Sequence, residues 1–247
     1  MSDCILRSEA DRVVTLTLNR PEKLNALTVE MFVALRTHVD ELATNRDVAV
    51  VVLRGAGRCF SAGHDLSDIA EGETPPTPYF QGETIERLAN LPQPVITAVH
   101  GYCFTGGLEL ALAGDLIVAA ESAKFADTHA KWALTPIWGL SQRLPRRVGL
   151  PKAREMMFTC RTVNAGEAAA IGLANEVVAD VALDARLADL ASQIAENSSF
   201  SHAANKRLLL ESDGLPIGAG LALESYRTEG AGPDVYDRIE RFTKRPK

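Results

Sequence analysis

Two short segments carry the residue types and spacing from which chemistry can be read: Phe60-Ser-Ala-Gly-His-Asp-Leu66 and Gly101-Tyr-Cys-Phe-Thr-Gly-Gly-Leu-Glu109. Each places a flexible turn where main-chain N–H groups can face a shared pocket. Two such donors together make an oxyanion hole, which stabilises a negatively charged oxygen formed from a thioester or similar carbonyl. Gly106 and Gly107 stand at the mouth of a strand-to-helix turn, where absent side chains let a carbonyl approach the backbone and the new helix adds its positive end; the same glycines also suit close strand-to-helix packing. Glu109 follows in the first helical turn. A helix-stabilising acid is one reading of it, but Leu108, Leu110, Ala111 and Leu112 surround it, and an ionised carboxylate in apolar company calls for a partner or a chemical task.

The elements that must position these turns are legible as a periodic pattern. Val13–Leu18 alternates as a half-buried strand does, and Asn19-Arg-Pro-Glu22 reverses the chain. Thr28 is placed to cap a helix whose Phe32, Leu35, Val39 and Leu42 form one apolar stripe. The apolar runs at 47–53, 94–99 and 115–120 read as strands covered on both faces, each ending near a turn or glycine. Ala70–Gln81, with Pro75, Pro76 and Pro78, reads as a mobile surface loop. Farther on, Pro151 suits a first helical turn, and Asn164-Ala-Gly-Glu167 has capping-box spacing before a helix stopped by Gly172. Beyond about Ala182 the chain reads as helical.

Composition narrows the function classes. The 247 residues, 46% of them apolar, suffice for one large α/β domain. The net charge of −6, without a basic block, disfavours nucleic acid as a partner. No signal sequence or membrane span is evident, and four scattered cysteines fit a reducing, cytoplasmic setting. Gly55-Ala-Gly57 follows a strand but has Phe60 where a dinucleotide fingerprint needs its third glycine, so a Rossmann reading fails.

Taken together, Leu18-Asn-Arg-Pro-Glu-Lys-Leu-Asn-Ala-Leu27, the 60–66 segment, Pro94–Gly101 running into Gly106-Gly-Leu-Glu-Leu110, Gly114–Val118 and Ser141–Gly149 give a chain that resembles the crotonase, or enoyl-CoA hydratase/isomerase, superfamily over nearly its whole length. The resemblance implies an α/β fold, a spiral of ββα units over about 1–190, followed by a helical trimerisation region over about 191–247 that forms trimers or hexamers. It implies an acyl-CoA substrate of lipid metabolism, coenzyme A being carried by the substrate, and no other cofactor or metal. By position, the N–H groups of His64 and Gly106 would form the oxyanion hole. Lys23, Leu24, Ala26, Ala62, Asp65, Leu66 and Ser67 would grip coenzyme A, with a contribution from Phe242 and from Lys244 or Arg245.

The family's hydratases use two glutamates. The first falls on Glu109; counting from Phe125 to Gln142 without gaps, the second position holds His129. Histidine can donate or accept a proton near neutral pH, so hydration remains available with Glu109 as base and His129 as donor or water-orienting group. Asp127 shares a face with His129 if this segment is a strand, and does not at a bend. The family's isomerases keep the second acid and lose the first, the reverse of this sequence. The readings are therefore an enoyl-CoA hydratase, or another acyl-CoA reaction of the family, or an acyl-CoA-binding oligomer without turnover. Phe104, Trp132 and Trp138 are either walls of the acyl pocket or plain core.

Overall fold

The computed structural model describes residues 3–244; Arg245, expected beside the coenzyme, lies outside them. The chain opens with a hairpin of β1 (Ile5–Ala10) and β2 (Val13–Leu18), paired antiparallel from Ile5↔Leu18 to Ala10↔Val13. Its tight turn places Asp11 and Arg12 at φ 48° and 65°, both in the left-handed region that matches the twist of the flanking strands. The strand β1 has no counterpart in the sequence reading, because that turn lacks the glycine that usually announces one.

A mixed sheet grows from β2. The helix α1 (Val29–Leu42), capped by the Thr28 hydroxyl accepting from Met31 N at 3.3 Å, leads to β3 (Val50–Gly55). Two further helices follow, α2 (Leu66–Glu71) and α3 (Phe80–Ala89), before β4 (Val95–Val99). The proline-rich stretch is thus a loop only from 72 to 79. Its expected flanks are helical, since Asp65 caps α2 by accepting from Ser67 N and Phe80 begins an amphipathic turn. Next come β5 (Tyr102–Phe104), α4 (Gly106–Ala111), β6 (Leu116–Ala120) and β7 (Lys124–Ala126). After α5 (Leu140–Val148) and α6 (Leu150–Thr159), β8 (Val163–Asn164) leads into α7 (Ala165–Ala170), where Asn164 Oδ1 accepts from Glu167 N at 2.8 Å as the capping spacing predicts. The last strand is β9 (Glu176–Val178).

The larger sheet runs β1-β2-β3-β4-β6-β9, parallel from β2 onward, and a small sheet runs β5-β7-β8. The central strands are buried on both faces, which explains their unbroken apolar runs. One face packs on Phe32, Leu35, Leu53, Phe60, Val99 and Phe125 with their neighbours. The other, with Val50, Val52, Ile96 and Val118, is covered by Leu183, Leu187 and Ala191 of α8 (Leu183–Ala195). The expected division at 190/191 falls inside this helix. Beyond it lie α9 (Ser199–Ser212), α10 (Ile217–Arg227) and α11 (Val235–Thr243). Lys206 of α9 ties that region to the sheet, its Nζ donating to Asp115 Oδ2 at 2.7 Å and to Gln93 O at 3.2 Å. Among the described residues no helix is long and apolar enough to cross a membrane.

The Asn25 side chain holds the turn after β3. It is fully buried, sits at φ 53°, and donates to Ala56 O and Cys59 O, both at 2.8 Å, while accepting from Arg20 N at 2.9 Å. Asn tolerates left-handed backbone better than most residues. Asn25→Ala should therefore lower stability by about 2–4 kcal/mol, through orphaned carbonyls and backbone strain. Urea unfolding measures this, and a loss below about 0.5 kcal/mol would show that the turn is held by other contacts.

Candidate active site

Adjacent parallel strands β3 and β4 deliver the two motif turns to the same end of the sheet, where ligands of open α/β sheets bind. The turns are stitched together by their backbones. Phe60 N donates to His100 O at 2.8 Å, Ser61 N to Tyr102 O at 2.9 Å, and Phe104 N to Ser61 O at 3.1 Å. This brings the two predicted amides side by side: a methyl group on Gly106 would stand 3.2 Å from His64 N. Among the described residues neither His64 N nor Gly106 N is paired with a protein acceptor. Gly106 has no room for a side chain, because that methyl would also lie 2.5 Å from the Trp138 ring, and Gly107 is closed off by Ser61 O at 2.8 Å.

Thr105, just before the Gly106 amide, is held at φ 50° and ψ −111°, a strained conformation for a β-branched residue. Hydrogen bonds enforce it. Thr105 N donates to Ala126 O at 2.8 Å, and its hydroxyl meets that of Thr128 and accepts from Thr128 N at 3.1 Å. The same pairing of β5 with β7 therefore positions both the Gly106 amide and the segment that carries His129.

The amides open on a cavity of about 420 Å³ whose walls include His64, Phe104, Gly106, Glu109, His129, Trp132 and Trp138. A larger hollow of about 680 Å³, between α9 and the segments before β3 and β4, contains none of these groups. Glu109 is 1% exposed. Its Oε1 accepts from Trp138 N at 2.9 Å and Leu140 N at 3.2 Å, which leaves Oε2 facing His129 Nε2 at 3.6 Å. Burial holds the Glu109 carboxyl above the usual carboxylate range, opposed by the Leu140 and Trp138 amides and by His129, and reinforced by the nearby Asp127. Such a carboxylate is a stronger base than one in water.

β7 ends at Ala126, so Asp127 lies beyond the strand and His129 begins a short 3₁₀ turn. The two side chains meet nonetheless. Asp127 Oδ1 accepts from His129 N at 3.2 Å and from His129 Nδ1 at 2.6 Å. The expectation that the two part company off a strand is corrected here: an Asp two residues before the N–H it caps is the ordinary geometry of an Asx turn. A second feature absent from the sequence reading is the His64 ring, which pairs with Glu73 Oε2 at 2.8 Å and lies against Trp138, with ring centres 4.7 Å apart. Glu73 Oε1 accepts from Gln81 Nε2 at 3.1 Å, so the proline-rich loop is pinned beside the paired amides.

Of the residues expected to hold coenzyme A, the structure brings together two groups. Ala62 N donates to Leu24 O at 2.9 Å, Leu27 N to Gly63 O at 2.8 Å and Asp65 N to Leu27 O at 2.9 Å, so Lys23, Leu24 and Ala26 run alongside Ala62 and Asp65–Ser67. Asp65 is buried, with its carboxylate accepting from Arg20 at 3.0 Å and capping α2, whereas Leu66, Ser67 and Lys23 are open to solvent. Phe242 and Lys244 are not among the cavity walls. Arg238 donates to Glu196 O at 2.9 Å and Asp234 accepts from Ser198 Oγ at 2.9 Å, which fixes α11 beside the junction of α8 and α9. Trp132 is 55% exposed and Trp138 4%; the first is a rim residue, the second both core and wall.

A profile of the enoyl-CoA hydratase/isomerase family matches residues 8–218. The 2,3-dehydroadipyl-CoA hydratase of Escherichia coli is 34% identical over 249 residues, covering 99% of this chain and 97% of the relative. The 1,2-epoxyphenylacetyl-CoA isomerase of the same organism is 33% identical, covering 98% and 96%. The crystal structure of an enoyl-CoA hydratase from Bacillus anthracis superposes with a TM-score of 0.91 at 31% identity, covering 98% of this chain and 96% of that one. Relatives of similar closeness thus carry both hydratase and isomerase names, and the shared fold, length and motif order place the assignment at the level above either: the chain belongs to the enoyl-CoA hydratase/isomerase family.

Proposed function

We propose that the protein adds water to a 2-enoyl-CoA thioester. The observation that carries this reading is the convergence, on one cavity, of two main-chain amides without protein partners and a buried carboxylate facing a histidine. The thioester oxygen takes the two N–H groups of His64 and Gly106, and the charge that develops there as the enolate forms is stabilised by donors already in place. The 3.6 Å between Glu109 Oε2 and His129 Nε2 is too long for a direct hydrogen bond and suits a water that contacts both. Glu109 removes its proton as the oxygen bonds to the β-carbon, and His129 supplies the proton taken up at the α-carbon.

The reading calls for no cofactor beyond the coenzyme A of the substrate. It also includes a cytoplasmic setting and a trimer or a hexamer of paired trimers. In support of assembly, Leu209, Ile217, Tyr226, Tyr236 and Phe242 of α9–α11 are exposed, and a neighbouring copy would cover apolar surface of this kind. Within such an assembly Phe242 and Lys244 would approach the coenzyme of another subunit.

The test is hydration of crotonyl-CoA or a longer enoyl-CoA, followed by loss of the conjugated thioester absorbance. Glu109→Gln should reduce turnover by about a hundredfold or more while coenzyme A binding persists, and comparable rates would remove Glu109 as the base. If wild-type protein binds acyl-CoA and hydrates none of these substrates, the reading gives way to a binding protein without turnover. His129→Ala should lower turnover by about tenfold or more; an unchanged rate would make it a packing residue. Gly106→Ala, which pushes a methyl against Trp138 and His64 N, should lower turnover by about a hundredfold or more with the fold intact by circular dichroism.

Glu109 also sets two pH dependences. As the base must be ionised, kcat/KM should fall toward acid at a pH above the ordinary carboxylate range. For stability the sign is reversed. A carboxyl raised on folding contributes most below its unfolded pKa, and the contribution is lost as pH rises through the folded one. Glu109→Gln should therefore be more stable than wild type at about pH 7, with the gap narrowing toward about pH 4. Denaturant unfolding at both pH values checks this, and a gap that widens toward acid contradicts it.

A further inference from the structure

Asp127, His129 and Glu109 form one buried chain of titratable groups, exposed by only 1%, 7% and 1%. A carboxylate this far from water is unfavourable unless a charged or hydrogen-bonding partner compensates it. The partner of Asp127 is His129, through both its main-chain N–H at 3.2 Å and its Nδ1 at 2.6 Å. A carboxylate oxygen accepts, so Nδ1 carries the hydrogen, and the ring has one nitrogen left for chemistry. That nitrogen, Nε2, faces Glu109 Oε2 across 3.6 Å at the cavity wall.

Resting on the hydratase reading, we propose that Asp127 is the positioning residue of the site: it holds the Nδ1–H edge of His129, turning Nε2 toward the cavity and Glu109 as the group that exchanges a proton with substrate. Asp127 touches no reacting atom. The cycle balances without it changing protonation. Water gives a proton to Glu109 Oε2 as its oxygen bonds to the β-carbon, and the double-bond electrons move to the α-carbon and the thioester oxygen. The Nε2–H bond then breaks as the α-carbon–hydrogen bond forms. Finally the proton on Oε2 passes to Nε2, restoring both groups, so that H and OH have been added and nothing else is consumed. A neutral imidazole free to choose its tautomer would carry its hydrogen on Nε2 or on Nδ1; with Asp127 in place only Nε2 changes.

The charged groups around His129 are Asp127 on the approach from β7, Glu109 on α4, Lys131 on its own turn, and the His64–Glu73 pair at the cavity wall. Lys131 is solvent-exposed and the His64–Glu73 pair is closed on itself, which leaves Asp127 and Glu109 as the anions that bear on the ring.

The experiment uses the full chain labelled with ¹⁵N-histidine. Long-range proton–nitrogen spectra of the wild type, recorded across the pH range, should show the His129 Nδ1 protonated throughout while Nε2 gains and loses its hydrogen. Asp127→Ala should abolish that pattern. In hydration assays Asp127→Asn should lower kcat by about tenfold to a thousandfold with KM changed by less than about threefold. Asp127→Glu should recover part of the loss. A wild-type ring whose Nδ1 loses its proton at high pH overturns the proposal, as does an Asp127→Asn enzyme with wild-type kcat. Where a variant does not fold, the wild-type spectrum decides alone. It also decides alone if wild-type protein fails to hydrate any enoyl-CoA, an outcome that removes the hydratase reading but not the tautomer assignment.

Discussion

The site depends on a few main-chain hydrogen bonds between two turns that are distant in sequence. Phe60, Ser61 and Phe104 donate across to the other segment, and a parallel bridge pairs Ser61 with Cys103. These bonds set the spacing of the His64 and Gly106 amides, and no side chain of either residue is needed for it. Asn25 supports the same region from below, with Ser61 Oγ donating to Asn25 O at 2.8 Å and accepting from Gly63 N at 3.1 Å. The requirement for glycine at 106 and 107 then follows from the closeness of Trp138 and Ser61 rather than from a need for flexible backbone.

Opposite the amides, burial and hydrogen bonding act against each other on one carboxylate. Desolvation raises the Glu109 carboxyl, while the Trp138 and Leu140 amides hold Oε1 and favour the ionised form. The outcome is a carboxylate with one oxygen immobilised and one left for chemistry. Thr105 and Thr128 link this wall to the paired amides, because the strained residue before Gly106 is held by the hydroxyl and amide of the residue before His129. Displacement of either segment would move both halves of the site together.

Much of this was readable from the residues. The alternation of Val13–Leu18, the apolar runs of the parallel strands, the Thr28 cap and the Asn164 capping box all appear as local periodicity or capping chemistry, and the structure contains each. The motif order revealed the family and the pairing of segments 60–66 and 101–109. Elements fixed by tertiary pairing were not readable: β5, β7 and β8 are two or three residues long and exist through their ladders. For Asp127 the choice between strand and bend carries no answer, because a side-chain bond to the N–H two residues on decides its position. The Glu73 clasp on His64 joins a proline-rich loop to the site through one polar pair, for which sequence spacing carries no signal. Phe242 and Lys244 show the limit of carrying positions across from a resemblance, as one chain alone leaves them outside the cavity walls.

The division between main-chain donors and titratable side chains has an evolutionary corollary. Point mutations can readily rewrite positions 109, 127 and 129, since each is a replaceable side chain on an otherwise intact frame. The paired amides are a narrower target, for only a proline, or a side chain that displaces the peptide, removes them. A lineage built on this frame can therefore change its side-chain chemistry while the two main-chain donors are inherited unchanged.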